Sequence, residues 1–141
     1  MDKSKAYIIA KTKMLDNDAF SKWLGIELAE IREGYCRLSM VIRPEMTNGF
    51  GIAHGGITFS LADSALAFAS NSYGRMAVSI ETSISHLVKI KTGESIAAEA
   101  IEVSRSEKIA LYEVSIKNSD NILVAKFKGT VYISSKDWDL N

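Results

Sequence analysis

The segment between Glu45 and Arg75 contains a single formally charged residue, Asp63, among small and apolar neighbours. A carboxylate in such surroundings lowers stability unless it is paired or performs chemistry, because it is poorly solvated away from water. Burial also raises the pKa of a carboxyl group, which suits a general base. Asp63 is therefore the first candidate catalytic residue. The alternative is a structural aspartate that accepts a hydrogen bond from the nearby hydroxyl of Ser60 or Ser64.

A glycine pair beside a histidine precedes Asp63 and marks the start of a helix. The N–H groups of Gly55 and Gly56 would be the first of that helix, where amides lack partners and carry partial positive charge. Because glycine has no side chain, a ligand can approach these amides closely. One such donor, aimed at a carbonyl oxygen that gains negative charge, is worth about 2.7–4 kcal/mol of barrier. We expect the Gly55 amide to fill this role, and Gly56 to serve either backbone packing or substrate binding.

Two polar residues near this helix start each have two interpretations. His54 either holds the loop through its ring nitrogens or contacts the substrate directly. Asn48 precedes Gly49, and Asn-Gly is a strong turn dipeptide. The same Asn48 side chain could instead position a substrate.

Gly55 and Asp63 cannot easily act on one carbonyl group within a single chain. Eight residues of helix separate them, which corresponds to a rise of about 12 Å. If both groups act on one substrate, two antiparallel helices must lie side by side, so that Asp63 of one chain faces the helix start of its partner. A two-fold dimer provides this arrangement twice. The spacing therefore predicts a homodimer.

The hydrophobic pattern predicts one long helix and a shorter helical segment before it. The long helix runs from Gly55 or Gly56 to about Ser72, lacks proline, and is apolar all round, as is typical of a buried helix. Gly74 lies just past its end as a C-cap. The shorter segment covers residues 7–23 in parts, with a cap at residues 16–18 and a stop at Gly25.

Alternating and β-branched runs predict the strands of a sheet. They cover residues 26–42 (split near 33–34), 77–90, 95–104, 108–117 and 122–133. Within the first run, one face is expected to hold Cys36, Leu38, Met40 and Ile42. The chain is therefore expected to be α+β, with an antiparallel sheet of about six strands wrapped around the long helix.

The composition limits the class of protein. The 141 residues are 47% hydrophobic and 24% charged, which is ordinary for a globular chain, and one domain over residues 1–141 is expected. Lys plus Arg and Asp plus Glu number 17 each. The composition therefore gives no support for binding nucleic acid or an anionic membrane.

The few cysteine and histidine residues and the short apolar runs further limit the class of protein that this chain can be. The single cysteine, Cys36, excludes an internal disulfide framework and is expected in the core of a protein from a reducing compartment. The two histidines, His54 and His86, lack metal-ligand spacing, and no metal is expected. No apolar run is long enough for a signal peptide or a membrane span, so a cytoplasmic protein is expected.

The candidate residues together carry a resemblance to a known family. The pattern is Asn48, five residues, His54-Gly55-Gly56, six residues, Asp63, and then Asn71-Ser72 and Ala77-Val78-Ser79. It resembles the hotdog-fold acyl-CoA thioesterases of the phenylacetate-degradation type, and the similarity covers about residues 26–133. The resemblance implies a helix enclosed by an antiparallel sheet, and dimers that often pair into tetramers.

The same resemblance implies functions for the residues. The Gly55 amide would hold the thioester carbonyl, and Asp63 of the neighbouring subunit would act as general base or nucleophile. Asn48 and His54 would position the thioester or hold the loop, and Ser79 would orient the attacking water. The substrate would be an acyl-CoA, either aromatic such as phenylacetyl-CoA or medium-chain. Coenzyme A is then part of the substrate, and no separate cofactor is expected.

Several residues outside the motif have a structural and a functional interpretation. Phe50 and Phe59 either line the acyl pocket or belong to the core with Phe68, Trp23 and Met46. Basic residues on or beside the strands are either solvated on the surface or could meet a phosphate of coenzyme A. These are Lys89, Lys91, Arg105, Lys108, Lys126 and Lys128.

Two other functions stay open at this level. The same fold could carry enoyl-CoA hydratase or dehydratase chemistry, with His54 and Asp63 as paired acid and base. The chain could also bind acyl-CoA without turnover, although a pure binding pocket has no need to bury an acid.

Overall fold

The structure is a computed structural model that describes residues 4–141. The described residues do not include Met1, Asp2 and Lys3. The expectation that the N-terminal segment is not a signal peptide falls in part on these three residues. The described chain forms an N-terminal helical segment, two strands, one long helix and four further strands. The expected α+β architecture is confirmed.

The N-terminal helical segment is irregular. It consists of the single turn α1 (Lys5–Tyr7), a π-helical stretch (Ile8–Met14), a 3₁₀ turn (Leu15–Asn17) and the short helix α2 (Ala19–Leu24).

Local side chains set the limits of α2. Asp18 caps its start, because Asp18 Oδ1 accepts a hydrogen bond from the Ser21 N–H at 2.9 Å. Gly25 ends the helix with a φ of +77°, a left-handed conformation that glycine adopts without strain. The predicted cap and stop are both confirmed.

All six strands join one antiparallel sheet. They are β1 (Glu27–Arg32), β2 (Tyr35–Val41), β3 (Arg75–His86), β4 (Ser95–Arg105), β5 (Ile109–Asn118) and β6 (Leu123–Asp137). Their order across the sheet is β1-β2-β4-β5-β6-β3, so β1 and β3 are its two edges. β3 ends at His86 rather than near residue 90, because the amides of Leu87 and Val88 both donate to the Val124 carbonyl and interrupt the ladder.

Alternation along the strands decides which side chains face the long helix. In β6, Phe127 and Val131 are buried while Lys128 between them is exposed. The face predicted for the first strand run is confirmed as buried, with Cys36, Leu38, Met40 and Ile42 all at most 3% exposed.

The long helix α3, Gly55–Asn71, packs against one face of this sheet and contacts all six of its strands. Its bounds confirm the prediction from its apolar, proline-free sequence. The predicted C-cap is wrong by two residues: Ser72 is the cap, and Gly74 lies beyond it with a φ of +120°. There the Gly74 N–H donates to the Asn71 carbonyl at 3.1 Å as the chain turns into β3.

Asn71 fastens the end of α3 to the sheet. Its Nδ2 donates to the carbonyls of Ala67 at 2.8 Å and Ala77 at 3.0 Å. Its Oδ1 accepts from the Ala77 N–H and from Trp138 Nε1, both at 2.9 Å. Because a buried amide is costly unless its polar groups are paired, this fully used side chain favours one position of α3 relative to β3.

The aromatic residues divide between core and surface. Phe68 and Met46 are buried, and Phe59 packs against Phe127 with ring centroids 5.4 Å apart. The prediction of core positions for Phe50 and Trp23 is wrong, since these side chains are 90% and 48% exposed.

Local geometry explains both exposed aromatic residues. Phe50 lies in a tight turn in which the Gly51 N–H donates to the Asn48 carbonyl at 3.0 Å, and its side chain projects from that turn. Trp23 instead stacks on Phe20 at the surface of α2.

The helix and the sheet approach each other closely at Gly129 in β6. A Cβ built on Gly129 would lie 2.5 Å from Leu66 Cδ2 and 3.2 Å from Phe127 Cε1.

We therefore expect Gly129→Ala to lower the free energy of unfolding by about 1–3 kcal/mol through overpacking, as measured by urea denaturation. The control is Gly49→Ala, where a Cβ meets nothing within 4 Å. Equal stability of Gly129→Ala and wild type would contradict the close approach.

Candidate active site

Asn48 organises the loop that leads into α3. Its side-chain Oδ1 accepts hydrogen bonds from the N–H groups of Phe50 at 2.9 Å and Ile52 at 3.4 Å. The turn interpretation of this residue is confirmed. Among residues 4–141, none accepts a hydrogen bond from Asn48 Nδ2, and the residue lines a cavity beside the helix start. The turn thus leaves the amide N–H₂ group available to a ligand.

His54 is the N-cap of α3. Its Nδ1 accepts a hydrogen bond from the Gly56 N–H at 2.8 Å, and its carbonyl accepts from the Ile57 N–H at 2.9 Å. Its own N–H donates to the Met46 carbonyl at 2.8 Å. The prediction that His54 holds the loop through its ring is confirmed. Gly56 consequently has its amide occupied.

The Gly55 amide is left as the available donor at the helix start. Within the described residues 4–141 it donates to no other group, while its two successors are bonded to His54. The free N–H groups at the beginning of a helix carry partial positive charge. Gly55 and Asn48 both line one cavity of about 290 Å³. This cavity, which we call the amide cavity, offers hydrogen-bond donors to an oxygen that gains negative charge.

The structure adds His86 to the amide cavity. A Cβ built on Gly55 would lie 3.0 Å from His86 Nε2, so the ring packs directly against that glycine. His86 Nδ1 lies 3.2 Å from Thr58 Oγ1, and the Thr58 hydroxyl donates to the Gly55 carbonyl at 3.0 Å. In the sequence, His86 stands out only as a histidine without metal-ligand spacing to His54. Its position depends on β3 meeting α3, and no local motif signals that contact.

Asp63 lines a second cavity, of about 310 Å³, together with Ser79. Its pKa is raised, first by burial and second by the negative charge of Asp18. The structural alternative for Asp63 is wrong, because the Ser60 hydroxyl donates to the Gly56 carbonyl at 2.7 Å and Ser64 Oγ pairs with the hydroxyl of Ser21 at 2.8 Å. No residue in the range 4–141 donates a hydrogen bond to Asp63. We call this second space the carboxylate cavity.

The described chain therefore divides the predicted residues between two places. Asn48 and Gly55 meet in the amide cavity, whereas Asp63 and Ser79 meet in the carboxylate cavity. The cavity linings do not overlap. Four of the predicted substrate-binding or positioning residues border neither cavity directly: His54, Gly56, Phe50 and Phe59.

Basic residues are distributed unevenly around these cavities. Lys89 lines the amide cavity. Lys126 lies 3.7 Å from a carboxylate oxygen of Glu113. The Arg105 guanidinium stacks on the ring of Tyr73, 3.7 Å from its centroid. Of the six basic residues considered for contact with a coenzyme A phosphate, Lys89 is thus the one that lines the same cavity as Gly55.

The described residues also bear on metal binding and on membrane insertion. Over positions 4–141, no three His, Cys, Asp or Glu side chains lie close enough to form a metal site. In the same part of the chain, no helix combines the length and the apolar character needed to span a membrane.

Comparison with known proteins gives a consistent result. The family model of the thioesterase superfamily matches residues 50–125. A putative esterase of Archaeoglobus fulgidus is 43% identical over 96% of this chain and 88% of its own length. The acyl-coenzyme A thioesterase PaaI of Escherichia coli is 36% identical over 82% of this chain and 83% of its own length.

Solved structures agree with these matches. The structure of E. coli PaaI superimposes with a TM-score of 0.91 at 34% identity, covering 94% of this chain and 96% of that protein. A Streptococcus mutans protein solved with acetyl-CoA bound superimposes with a TM-score of 0.77 at 25% identity, covering 80% and 91% of the two chains.

The raised pKa of Asp63 predicts a pH-dependent effect on stability. The folded chain holds the Asp63 proton more tightly than the unfolded chain, so this carboxyl group lowers stability as pH rises through its folded pKa. We expect Asp63→Asn to raise the free energy of unfolding at pH 7, and the gain to shrink as pH falls toward about 4, near the ordinary pKa of aspartate. Urea denaturation at several pH values measures this difference.

Asp120→Asn is the matched control, because Asp120 is exposed in the turn before β6. It should show no such trend. An Asp63→Asn variant less stable than wild type at pH 7 would contradict the unfavourable environment described for the carboxylate.

Proposed function

The chain belongs to the thioesterase superfamily, and from that premise we propose that it hydrolyses the thioester bond of an acyl-CoA across a dimer interface. The products are the free acid and coenzyme A. Hydrolysis requires water as the second reactant and no separate cofactor. The Gly55 amide binds the thioester carbonyl, and Asp63 of the partner subunit acts as general base or nucleophile.

The acyl-CoA substrate class is supported by the relatives. The E. coli relative bears the name of an acyl-coenzyme A thioesterase, and the S. mutans relative was solved with acetyl-CoA. We propose an acyl group that is aromatic, such as phenylacetyl, or aliphatic of medium length.

The observation that carries this proposal is the division of donors and carboxylate between two cavities. The amide cavity supplies N–H donors from Gly55 and Asn48, while the carboxylate cavity supplies Asp63 with a raised pKa. Oxyanion donors and a base are the two functions that acyl transfer to water needs. A two-fold dimer would bring the amide cavity of one chain to the carboxylate cavity of the other.

The edge strand β3 provides a surface for such a dimer. It runs for 12 residues, pairs with β6 on one side only, and displays Val78 and Ile80 at 63% and 58% exposure. A long apolar edge invites pairing with another strand unless something covers it. Ser79, between these two residues, lines the carboxylate cavity. Pairing of β3 with the partner's β3 would therefore place the carboxylate cavity at the dimer interface.

A second apolar surface supports the further pairing of dimers into a tetramer. Four exposed apolar side chains occur on β4, β5 and β6, namely Ile101, Val103, Ile109 and Tyr132. Ile109 and Tyr132 are direct strand partners. Exposed apolar side chains grouped in this way are typical of association surfaces.

The proposed reaction follows from the placement of these groups. Ser79 of the partner subunit, which shares the carboxylate cavity with Asp63, orients a water molecule. The water oxygen attacks the thioester carbon while one water proton passes to Asp63 of the same partner subunit. The carbonyl oxygen becomes an oxyanion that accepts hydrogen bonds from the Gly55 N–H and Asn48 Nδ2. The C–S bond then breaks, and the electron pair leaves with sulfur. A thiolate leaves more readily than an alkoxide, since thiols have a pKa of about 8.5.

The structure weakens the case for hydratase chemistry with His54 as one of the paired groups. His54 Nδ1 already accepts a hydrogen bond from the Gly56 N–H, so this nitrogen is engaged in capping α3. Assays should nevertheless record enoyl absorbance beside thiol release, because a change in absorbance without release of thiol would indicate the hydratase reaction.

Substitution of Asp63 tests its role directly. We expect Asp63→Asn and Asp63→Ala to lower kcat by at least about 10²-fold, the lower range for loss of a general base, with the fold retained. In the wild type, kcat/KM should fall as pH drops through the raised pKa of Asp63, above the usual range of aspartate. Asp120→Asn is again the control. Thiol release near the wild-type rate by either Asp63 variant would end the proposed role.

Complementation tests whether the active site is shared between subunits. Asp63→Asn and Gly55→Val, whose branched side chain would cover the amide, should each be inactive alone. Co-expressed in one cell with separate purification tags, the mixed dimer should recover one working site of its two. Thiol release by the doubly purified mixed dimer should reach about half of the wild-type rate. Absence of recovery in a confirmed mixed dimer would contradict a site built from both subunits.

A further inference from the structure

The geometry points to His86 as a catalytic acid that protonates the departing thiolate from the same cavity that holds the Gly55 amide. This inference rests on the proposed thioester hydrolysis, and it adds a residue that the motif around α3 does not contain.

The position of the ring supports this role. His86 is the last residue of β3, and its ring lies in the wall of the amide cavity beside Gly55. Of the ring atoms, Nε2 comes nearest to a Cβ built on Gly55, at 3.0 Å, followed by Cε1 at 3.5 Å. A thioester whose carbonyl oxygen is bound by the Gly55 amide therefore has Nε2 as a close neighbour.

The orientation of the ring is fixed from its other side. The Thr58 hydroxyl has one proton, which it donates to the Gly55 carbonyl at 3.0 Å. Its oxygen, 3.2 Å from His86 Nδ1, is then left to accept the Nδ1–H. With Nδ1 engaged, Nε2 is the nitrogen that exchanges protons with a ligand. An imidazole held by a third group in this way is the usual arrangement for proton transfer.

The charges around His86 come from few groups. The cavity wall carries Lys89, the loop before α3 carries His54, and Lys126 follows Ala125, which pairs with His86 across the sheet. The parts of α3 that meet the ring, Gly55 and Thr58, are uncharged. No carboxylate of the same chain is part of the described amide-cavity lining, so the carboxylate that the proposed dimer brings toward His86 is Asp63 of the partner subunit.

The proton balance is complete with these groups. Water attack places one proton on Asp63 of the partner subunit and leaves the carbonyl oxygen as an oxyanion. When the C–S bond breaks, sulfur takes the bonding pair and accepts the Nε2 proton of the His86 imidazolium. The thiol departs neutral, and the oxyanion re-forms the C=O bond of the free acid. Asp63 then releases its proton to solvent, and His86 takes one up.

Leaving-group dependence tests this role. The experiment compares phenylacetyl-CoA with the phenylacetyl thioester of thiophenol, whose aryl thiolate is less basic and leaves without protonation. We expect His86→Gln to lower kcat on the coenzyme A thioester by about 10²-fold, the lower range for a positioned acid. The same variant should change kcat on the aryl thioester by less than about threefold.

Two further variants complete the design. Thr58→Val removes the hydroxyl that fixes the ring, and should reproduce part of the selective loss on the coenzyme A thioester. Ser85→Ala, on the neighbouring exposed residue of β3, should leave both rates unchanged. An equal loss on both thioesters in His86→Gln would show a structural role and overturn the inference. Absence of thiol release by the wild-type protein would instead overturn the proposed function itself.

Discussion

The fixed length of α3 is the constraint on which the candidate site depends. Gly55 begins this helix and Asp63 follows eight residues later, about 12 Å along its axis. Because α3 is packed against all six strands and its end is held by Asn71, it cannot bend to bring the two residues together. The helix start and the carboxylate therefore open into separate cavities. A reaction that uses both on one carbonyl group needs a second copy of the chain.

The loop before α3 shows how one set of residues can serve both structure and chemistry. His54 caps the helix by bonding the Gly56 amide, and Asn48 closes the preceding turn through its Oδ1. Each of these structural bonds uses one group and leaves another available: the Gly55 N–H in the first case and Asn48 Nδ2 in the second. The capping is thus selective. It stabilises the helix start and still keeps donors for a substrate oxygen.

Asp63 shows the opposite balance between stability and function. Its surroundings raise its pKa through burial and through the charge of Asp18, and the two nearest serine hydroxyls are engaged elsewhere. In the folded monomer this carboxylate is therefore unfavourable at neutral pH. A side chain that lowers stability and makes no compensating stabilising interaction is typical of a functional site. The same environment makes Asp63 a stronger base than an exposed aspartate.

The sequence by itself determined the elements and their buried faces, because these follow from local periodicity. Three such local features are the apolar run of α3, the alternation through Cys36 and Leu38, and the helix-ending glycine at position 25. The sequence also singled out Asp63, since one charge in an apolar helix is visible without a structure.

Only the tertiary structure decided which residues share a cavity. Ser79 joins Asp63, and His86 joins Gly55, because β3 packs beside α3, and such contacts between distant segments depend on strand order and register rather than on local pattern. The exposure of Phe50 has the same origin: hydrophobicity favours burial, but the turn that carries this residue points it away from the core.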